Sequence, residues 1–328
     1  MTIYDVSGNP LSESVEIEEY YHSEMEDTVS KVRALQTEPN LTFFVVTDIH
    51  AYYVTGAEEL YKKSAVNMQA LAKEVPCDGI INLGDSIEGY SLKTTAQSYG
   101  NQIVNAFLAV GLPYYSVIGN HDDNREHSSS TNERLTVGER YQLFSNPTRR
   151  VVSDTTGLNF YVDFPEFKIR MITLNSASDY VYNYNADTRA WLSEVLASLP
   201  TGYKVIVLTH VAPVAQWNYD NRLPYNSEAV RTALSGVDTI AIICGHNHVD
   251  AVFDTPFHGI TLCCEKFENE NGDPTLWPAG AVKPQRTLEI ASEDCWTVCV
   301  IRPNAQKINF VRFGAGSDYE IDYGNSGT

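Results

Sequence analysis

The stretch at residues 41–50, LTFFVVTDIH, decides the fold class, because an apolar run ends abruptly in residues that bind metals. Its first six residues are apolar apart from Thr42, which is typical of a strand that is buried on both faces. Asp48 and His50 follow directly, and an extended backbone directs side chains two positions apart to the same side. The stretch therefore predicts a buried strand that carries metal ligands at its carboxyl end.

Four further apolar runs also end in metal-binding residue types. In an α/β sheet the loops that leave the carboxyl ends of the strands converge on one crevice, so we expect these residues to face a single pocket. Glycines at three of the run ends, Gly84, Gly119 and Gly245, let the backbone turn sharply. The four runs and the residues that follow them are 79 to 83 with Asp85, 114 to 118 with Asn120 and His121, 204 to 208 with His210, and 239 to 243 with His246 and His248.

Helical patterns alternate with these runs and predict an α/β fold built from βαβ units. The alternation continues to residue 312, so most of the chain is expected to form one folded body. Predicted helices span 57 to 75, 94 to 110, 132 to 144 and 187 to 199. Further strands are predicted at 158 to 164, 168 to 174, 249 to 254, 259 to 264, 295 to 301 and 306 to 312.

Both ends of the chain are predicted to be appendages. Apolar residues from Ile17 to Leu35 recur at three- to four-residue steps, which indicates an amphipathic helix. That helix either packs on the main domain or contacts a partner. We predict an N-terminal extension at 1–40, a catalytic domain at 41–313 and a polar C-terminal tail at 314–328.

The charge of the chain limits its partners. The formal net charge is −19, from 42 acidic and 23 basic residues, and such a surface repels polyanions such as nucleic acids. The first ten residues lack the basic start and apolar region of a signal peptide, and no apolar run is long enough to cross a membrane. We therefore predict a cytoplasmic protein without nucleic-acid or membrane partners. The oligomeric state is left open.

The mixture of imidazole and carboxylate ligands indicates the kind of metal. Magnesium and calcium sites are built almost entirely from oxygen atoms, whereas histidine together with aspartate suits zinc, iron or manganese. Seven candidate ligands suit two ions better than one. The expected cofactor is therefore a pair of divalent Mn, Fe or Zn ions.

Read in order, these segments resemble the calcineurin-like metallophosphoesterases over roughly residues 41 to 255. Each motif alone is weak, but five in order, each after a predicted strand, make a specific signal. The resemblance implies a four-layer α-β-β-α sandwich of two mixed sheets flanked by helices. The matching segments are Asp48-Ile49-His50, Gly84-Asp85, Gly119-Asn120-His121-Asp122, His210 and Gly245-His246-Asn247-His248.

The resemblance also assigns the ligands. It implies that Asp48, His50 and His248 bind one ion. The other ion is bound by Asn120, His210 and His246, and Asp85 bridges the two. Hydrolysis of a phosphomonoester or phosphodiester, of small or medium size, then proceeds by attack of a hydroxide that the two metals activate.

The resemblance further implies that His121 is the general acid that protonates the leaving group. In many family members an aspartate three residues after the bridging aspartate pairs with this histidine, and here that position is Glu88. Glu88 is therefore the candidate that orients His121, with Asp122 or a backbone carbonyl as alternatives. The residues that bind the substrate are not identified. Tyr52, Tyr53, Tyr90 and Trp217 are candidates for the wall of a pocket for an aromatic leaving group, or are simply packing residues.

Two other functions are compatible with the same motifs. A nuclease of the same superfamily is disfavoured by the net charge of −19. A non-catalytic, metal-stabilised module of a larger assembly is disfavoured because all seven ligand positions and the candidate acid are present.

Overall fold

The structure, a computed structural model, describes residues 16–51, 60–125, 131–146, 151–178, 181–270 and 272–324. The LTFFVV run forms strand β1 and is buried on both faces, as predicted. Because successive side chains of a strand point to opposite faces, Phe43 enters the core between two sheets and Phe44 enters the core below the helices.

The strands form two mixed sheets. The six-stranded sheet has the order β13-β12-β11-β1-β2-β3, and the seven-stranded sheet has the order β4-β5-β6-β7-β8-β10-β9. In chain order the strands are β1 (Leu41–Val46), β2 (Gly79–Asn82), β3 (Tyr114–Ser116), β4 (Val152–Ser153), β5 (Phe160–Phe164), β6 (Ile169–Leu174), β7 (Lys204–Thr209), β8 (Thr239–Cys244), β9 (Ala251–Phe253), β10 (Gly259–Thr261), β11 (Cys295–Arg302), β12 (Lys307–Gly314) and β13 (Tyr319–Asp322).

Helices cover the outer face of each sheet. Helices α1, α2 and α3 bury their apolar faces against the first sheet, and α5 and α6 bury theirs against the second. The predicted four-layer α-β-β-α arrangement is thus confirmed. The helices are α1 (His22–Leu35), α2 (Leu60–Glu74), α3 (Lys93–Leu108), α4 (Val137–Arg140), α5 (Ala186–Ala197) and α6 (Ser227–Ser235).

The five apolar runs that precede the candidate ligands are all strands: β1, β2, β3, β7 and β8. Strands β1, β2 and β3 are mutually parallel, and so are β7 and β8, so their ligand-bearing ends lie at matching edges of the two sheets. The helix predicted at 132 to 144 is shorter, because α4 gives way to a π-helical turn at Tyr141–Ser145. Helix α6 was not predicted. It buries only two large apolar side chains, Val230 and Leu234, so its sequence shows little apolar periodicity.

The two predicted appendages both contact the sheets. Helix α1 packs against the first sheet through Met25, Val29 and Val32, so it covers the main domain. Within the predicted C-terminal tail, β13 pairs with β12 and buries Ile321 between the sheets. The division of the chain into extension, domain and tail stays a prediction. Among the helices that the structure describes, none is both long and apolar enough to cross a membrane.

Candidate metal centre

Six of the seven predicted ligands gather in two groups of three at the carboxyl ends of the strands. Asp48, His50 and His248 form the first group, and their ligand atoms all lie within 4.8 Å of one another. Asp85, His210 and His246 form the second group by the same measure. Residues more than 190 positions apart are therefore brought together by β1, β2, β7 and β8.

The two aspartates present one carboxylate oxygen each to the histidines. Asp48 Oδ2 accepts hydrogen bonds from the backbone N–H of His246, at 2.9 Å, and from the Thr47 hydroxyl. Its Oδ1 is left facing His248 Nε2 at 3.3 Å. Asp48 is thus anchored through one oxygen and free to bind a cation through the other.

Asp85 also uses one carboxylate oxygen for a backbone hydrogen bond and the other for the histidines, and it lies close to both groups. Its Oδ1 accepts the backbone N–H of His121 at 2.7 Å. Its Oδ2 lies 2.9 Å from His210 Nε2 and 3.7 Å from His50 Nε2. Because His210 belongs to the second group and His50 to the first, the Asp85 carboxylate lies between the two.

Five of the candidate ligands have left-handed backbones, with φ between 48 and 71°. Non-glycine residues rarely adopt this conformation, and where it clusters it marks functional sites whose surroundings hold the strained backbone in place. The turns aim the side chains back over the strand ends. The five residues are Asp48, His50, Asp85, His246 and His248.

Two glycines make room for the aspartates. A Cβ on Gly119 would overlap the Asp85 carboxylate, and a Cβ on Gly245 would overlap Thr47 and Asp48. Both glycines therefore allow the backbone to pass close to a candidate ligand, which a side chain at either position would prevent.

Asp122 holds two ligand loops together. Its carboxylate accepts the backbone N–H groups of Gly119, Asp85 and Ser86 at 2.7 to 3.0 Å. It is fully buried, and this burial together with the charge of Asp85 raises its pKa to about 6. Asp122 thus fixes the loop after β2 against the loop after β3.

The electrostatics of the centre depend on close pairs of acids and bases. Burial opposes ionisation of Asp48 and Asp85, but the facing histidines outweigh it and hold the pKa of both carboxyls below the usual range. Burial, reinforced by the charge of His210, lowers the pKa of His246 to about 3. His246 is therefore neutral at pH 7, as a metal ligand must be.

The donor set fits a pair of divalent cations. Asn120 Oδ1 is buried and forms no hydrogen bond within the described residues, and Asp48 Oδ1 and His210 Nε2 face only the side chains of other candidate ligands. Leaving buried polar atoms unpaired costs free energy, so they indicate a missing partner. The Nε2 atoms of His50 and His248 approach within 3.0 Å, so both rings are directed at the same point. A cation would satisfy all of these atoms together.

The candidate acid His121 lies beside the same cluster. Its Nε2 is 3.9 Å from Asp85 Oδ2, and its side chain is 20% exposed, so the ring reaches both the ligands and the cleft. Its Nδ1 lies 2.6 Å from the backbone carbonyl oxygen of Glu88. The contact with His121 is thus made by the Glu88 backbone, whereas the Glu88 carboxylate lies 3.3 Å from His50 Nδ1.

A glutamate that sequence reasoning missed also faces the centre. Glu268 Oε1 lies 3.3 Å from His248 Nδ1 and 2.8 Å from Lys283 Nζ. The sequence did contain one indication of Glu268, because it follows β10. This strand runs parallel to β8 and therefore ends at the same edge of the sheet. His248, Cys264 and Glu268 also have metal-ligand geometry, but the Lys283 ammonium already lies against the thiol and the carboxylate.

The candidate pocket-wall residues fall into three cases. Trp217 is buried and stacked on Phe253, so it is a core residue. Tyr90 is 49% exposed, and its ring centroid lies 6.2 Å from that of His121. Tyr52 and Tyr53 lie outside the described residues.

Comparison with known proteins identifies the family. The family model described as "Calcineurin-like phosphoesterase" matches residues 41–250, which is more than half of the chain. The chain belongs to this family. The family uses a pair of divalent metals. The matched range includes all seven predicted ligands and His121, but it ends before Glu268.

Individual proteins resemble the chain in sequence or in fold. The chain is 24% identical over 189 residues to a Psychrobacter arcticus protein named "Probable cyclic nucleotide phosphodiesterase", and the match covers 57% of this chain and 63% of that relative. The chain thus spans less than two thirds of the relative's length. The fold is similar to that of a dimetal phosphatase from Danio rerio, with a TM-score of 0.62, 14% identity and coverage of 87% of this chain and 100% of that one. It is also similar to the purple acid phosphatase PPD1 from yellow lupin, with a TM-score of 0.57, 11% identity and coverage of 87% and 54%.

Proposed function

We propose that the protein hydrolyses small or medium phosphate esters with two divalent cations. Asp48, His50 and His248 would hold one cation, Asn120, His210 and His246 would hold the other, and Asp85 would contribute to both sites. The observation that carries the proposal is the position of the Asp85 carboxylate, whose Oδ2 lies 2.9 Å from His210 and 3.7 Å from His50. A carboxylate in this position can be shared by two cations, and two-metal sites are common among enzymes that cleave phosphate esters.

The residues of the chain divide the work of hydrolysis. When bound, the cation pair supplies a nucleophile from water at neutral pH and positive charge beside the phosphate oxygens. Asp48 and Asp85 keep those cations in place with anchored carboxylates. The backbone carbonyl of Glu88 can only accept a hydrogen bond, so it keeps a proton on His121 Nδ1 and leaves Nε2 to transfer a proton to the leaving oxygen.

A phosphodiester is the favoured substrate class within this proposal. The Psychrobacter arcticus relative is named as a probable cyclic nucleotide phosphodiesterase, and its similarity to this chain is the support. Tyr90 offers a half-exposed ring next to His121, where an aromatic leaving group would stack. A nuclease remains the second candidate, and the net charge of −19 argues against it.

Removing the divalent cations is expected to abolish hydrolysis. The protein would be dialysed against a chelator, reloaded separately with Mn²⁺, Fe²⁺ or Zn²⁺, and assayed with a phosphomonoester, a linear diester and cyclic nucleotides. We expect about two ions per chain by metal analysis, recovery of activity on reloading, and highest turnover with a diester. Full activity without metal, or no activity with any metal and ester, would overturn the proposal. Preferential cleavage of DNA would favour the nuclease.

Metal binding is expected to release protons. Burial by itself lowers the pKa of His50 and His210, but nearby carboxylates outweigh it and raise both values to about 9 in the metal-free protein. These carboxylates belong to Asp48, Glu88 and Asp85 for His50 and to Asp85 and Asp48 for His210. Both rings therefore carry a proton at pH 7 that a cation must displace. We expect affinity to fall about tenfold per pH unit, for each displaced proton, as pH decreases from 9. Calorimetry in buffers of different ionisation enthalpy measures the release, and an affinity that does not change between pH 6 and 9 would contradict it.

A further inference from the structure

Two histidines of the first ligand group are each backed by a glutamate. His50 and His248 point their Nε2 atoms at one another and towards Asp48. The opposite ring nitrogen of each, Nδ1, lies 3.3 Å from a carboxylate oxygen, which belongs to Glu88 for His50 and to Glu268 for His248. The contact between His248 and Glu268 has the geometry of a hydrogen bond, whereas the Glu88 carboxylate lies close to His50 Nδ1 without that geometry.

Each glutamate is in turn held by a lysine. Lys266 Nζ lies 3.2 Å from Glu88 Oε2, and Lys283 Nζ lies 2.8 Å from Glu268 Oε1. Lys283 is the more enclosed of the two, with a side chain only 3% exposed, and it also donates to the backbone carbonyl of His248 at 2.9 Å. The lysines hold the carboxylates in place, so that each remains directed at its histidine.

The two ligand groups differ in this respect. In the second group His210 Nδ1 faces the backbone carbonyl oxygen of Leu83 at 2.9 Å, which is a neutral acceptor. A carboxylate behind a histidine ligand fixes its tautomer and orientation and makes the ring a stronger electron donor to a metal, more so than a neutral acceptor does. The asymmetry would strengthen the binding of one ion only.

We propose that Glu88 and Glu268 are positioning residues that act through His50 and His248 to strengthen the binding of the ion held by the Asp48 group. This inference rests on the two-metal site proposed above. It gives the Glu88 carboxylate a role at His50, whereas the contact with His121 is left to the Glu88 backbone. It also extends the functional site to residue 268, beyond the part of the chain that matches the family model.

The test is a Co²⁺ titration of the metal-free protein, followed by absorption spectroscopy, with the variants Glu268→Gln, Glu268→Ala and Glu88→Gln. We expect two binding steps in the wild type. In the Ala variant one step weakens by about 10–100-fold and the other is unchanged. Gln, which retains a hydrogen-bond acceptor, should weaken the same step by less. Glu88→Gln should weaken that step too, and anomalous scattering should locate the loss at the Asp48 group.

Glu270→Gln is the matched control, because Glu270 is an exposed glutamate two residues from Glu268. It should leave both steps unchanged. If both steps weaken equally in the glutamate variants, or neither does, the inference is wrong even though the two-metal proposal survives. If the wild type fails to bind two ions, the two-metal proposal itself fails. Circular dichroism of each metal-free variant shows that it is folded, and the isosteric Gln variants decide the result if Glu268→Ala unfolds.

Discussion

Replacing His121 by glutamine is expected to slow hydrolysis of esters with poor leaving groups by about 10²–10⁴-fold, the usual contribution of general-acid catalysis. Glutamine cannot carry the transferable proton that His121 Nε2 would deliver to the leaving oxygen. Burial lowers the pKa of His121, so its protonated form gives up a proton readily. Because the same shift makes that form scarcer as pH rises, the advantage of the wild type for poor leaving groups should shrink at high pH.

The measurement compares kcat for a series of esters whose leaving groups differ in pKa. Metal content should be the same in wild type and variant, because His121 is not among the proposed ligands. His258→Gln is the control: His258 precedes β10, at the opposite end of that strand from the metal centre, and lies 3.4 Å from Asp254. Equal losses for good and poor leaving groups would remove His121 from the acid role.

The gathering of the candidate ligands at one place was predictable because each of them follows a strand that is visible in the sequence. Strands β1 and β8 are almost entirely apolar and buried. The polar residues that follow them directly are not explained by packing in an apolar core. The parallel arrangement of the strands then brings their ends together. Local spacing and topology thus suffice for Asp48, His50, His246 and His248.

The supporting residues could not be predicted in the same way. Glu268 follows β10, a strand of only three residues, and its partner Lys283 comes from an irregular segment 15 positions further on. Whether the backbone or the side chain of Glu88 contacts His121 depends on the conformation of the turn after β2, and the residue type does not determine that conformation. The left-handed φ angles at five candidate ligands could not be predicted either, because aspartate and histidine adopt this conformation more often than most non-glycine residues but still only rarely.

Asp85→Asn is expected to abolish turnover, because it removes the negative charge that the two ligand groups share. Asparagine keeps the shape and can still accept the His121 backbone N–H, so the loop is expected to remain folded. The neutral amide is a poor bridge between two cations. Removing a residue that only supports a metal ligand lowers activity by about 10–100-fold, and we expect the loss of activity in Asp85→Asn to be larger. His210→Ala should act in the same direction by removing a ligand of the second group. Metal analysis and kcat, measured on the same preparations, check both variants.

Asp78→Asn is the matched control for the loss of a carboxylate. Asp78 directly precedes β2, and its carboxylate accepts the backbone N–H of Thr42 at 2.8 Å, whereas Asp85 follows the same strand at its other end. The control should retain both ions and full activity. If Asp85→Asn kept two ions and wild-type turnover, the two cations would not share the Asp85 carboxylate, and the proposed dinuclear centre would be wrong. We expect Asp85→Asn, but not Asp78→Asn, to lose both ions and activity. This result would show that the reaction depends on the carboxylate at the carboxyl end of β2.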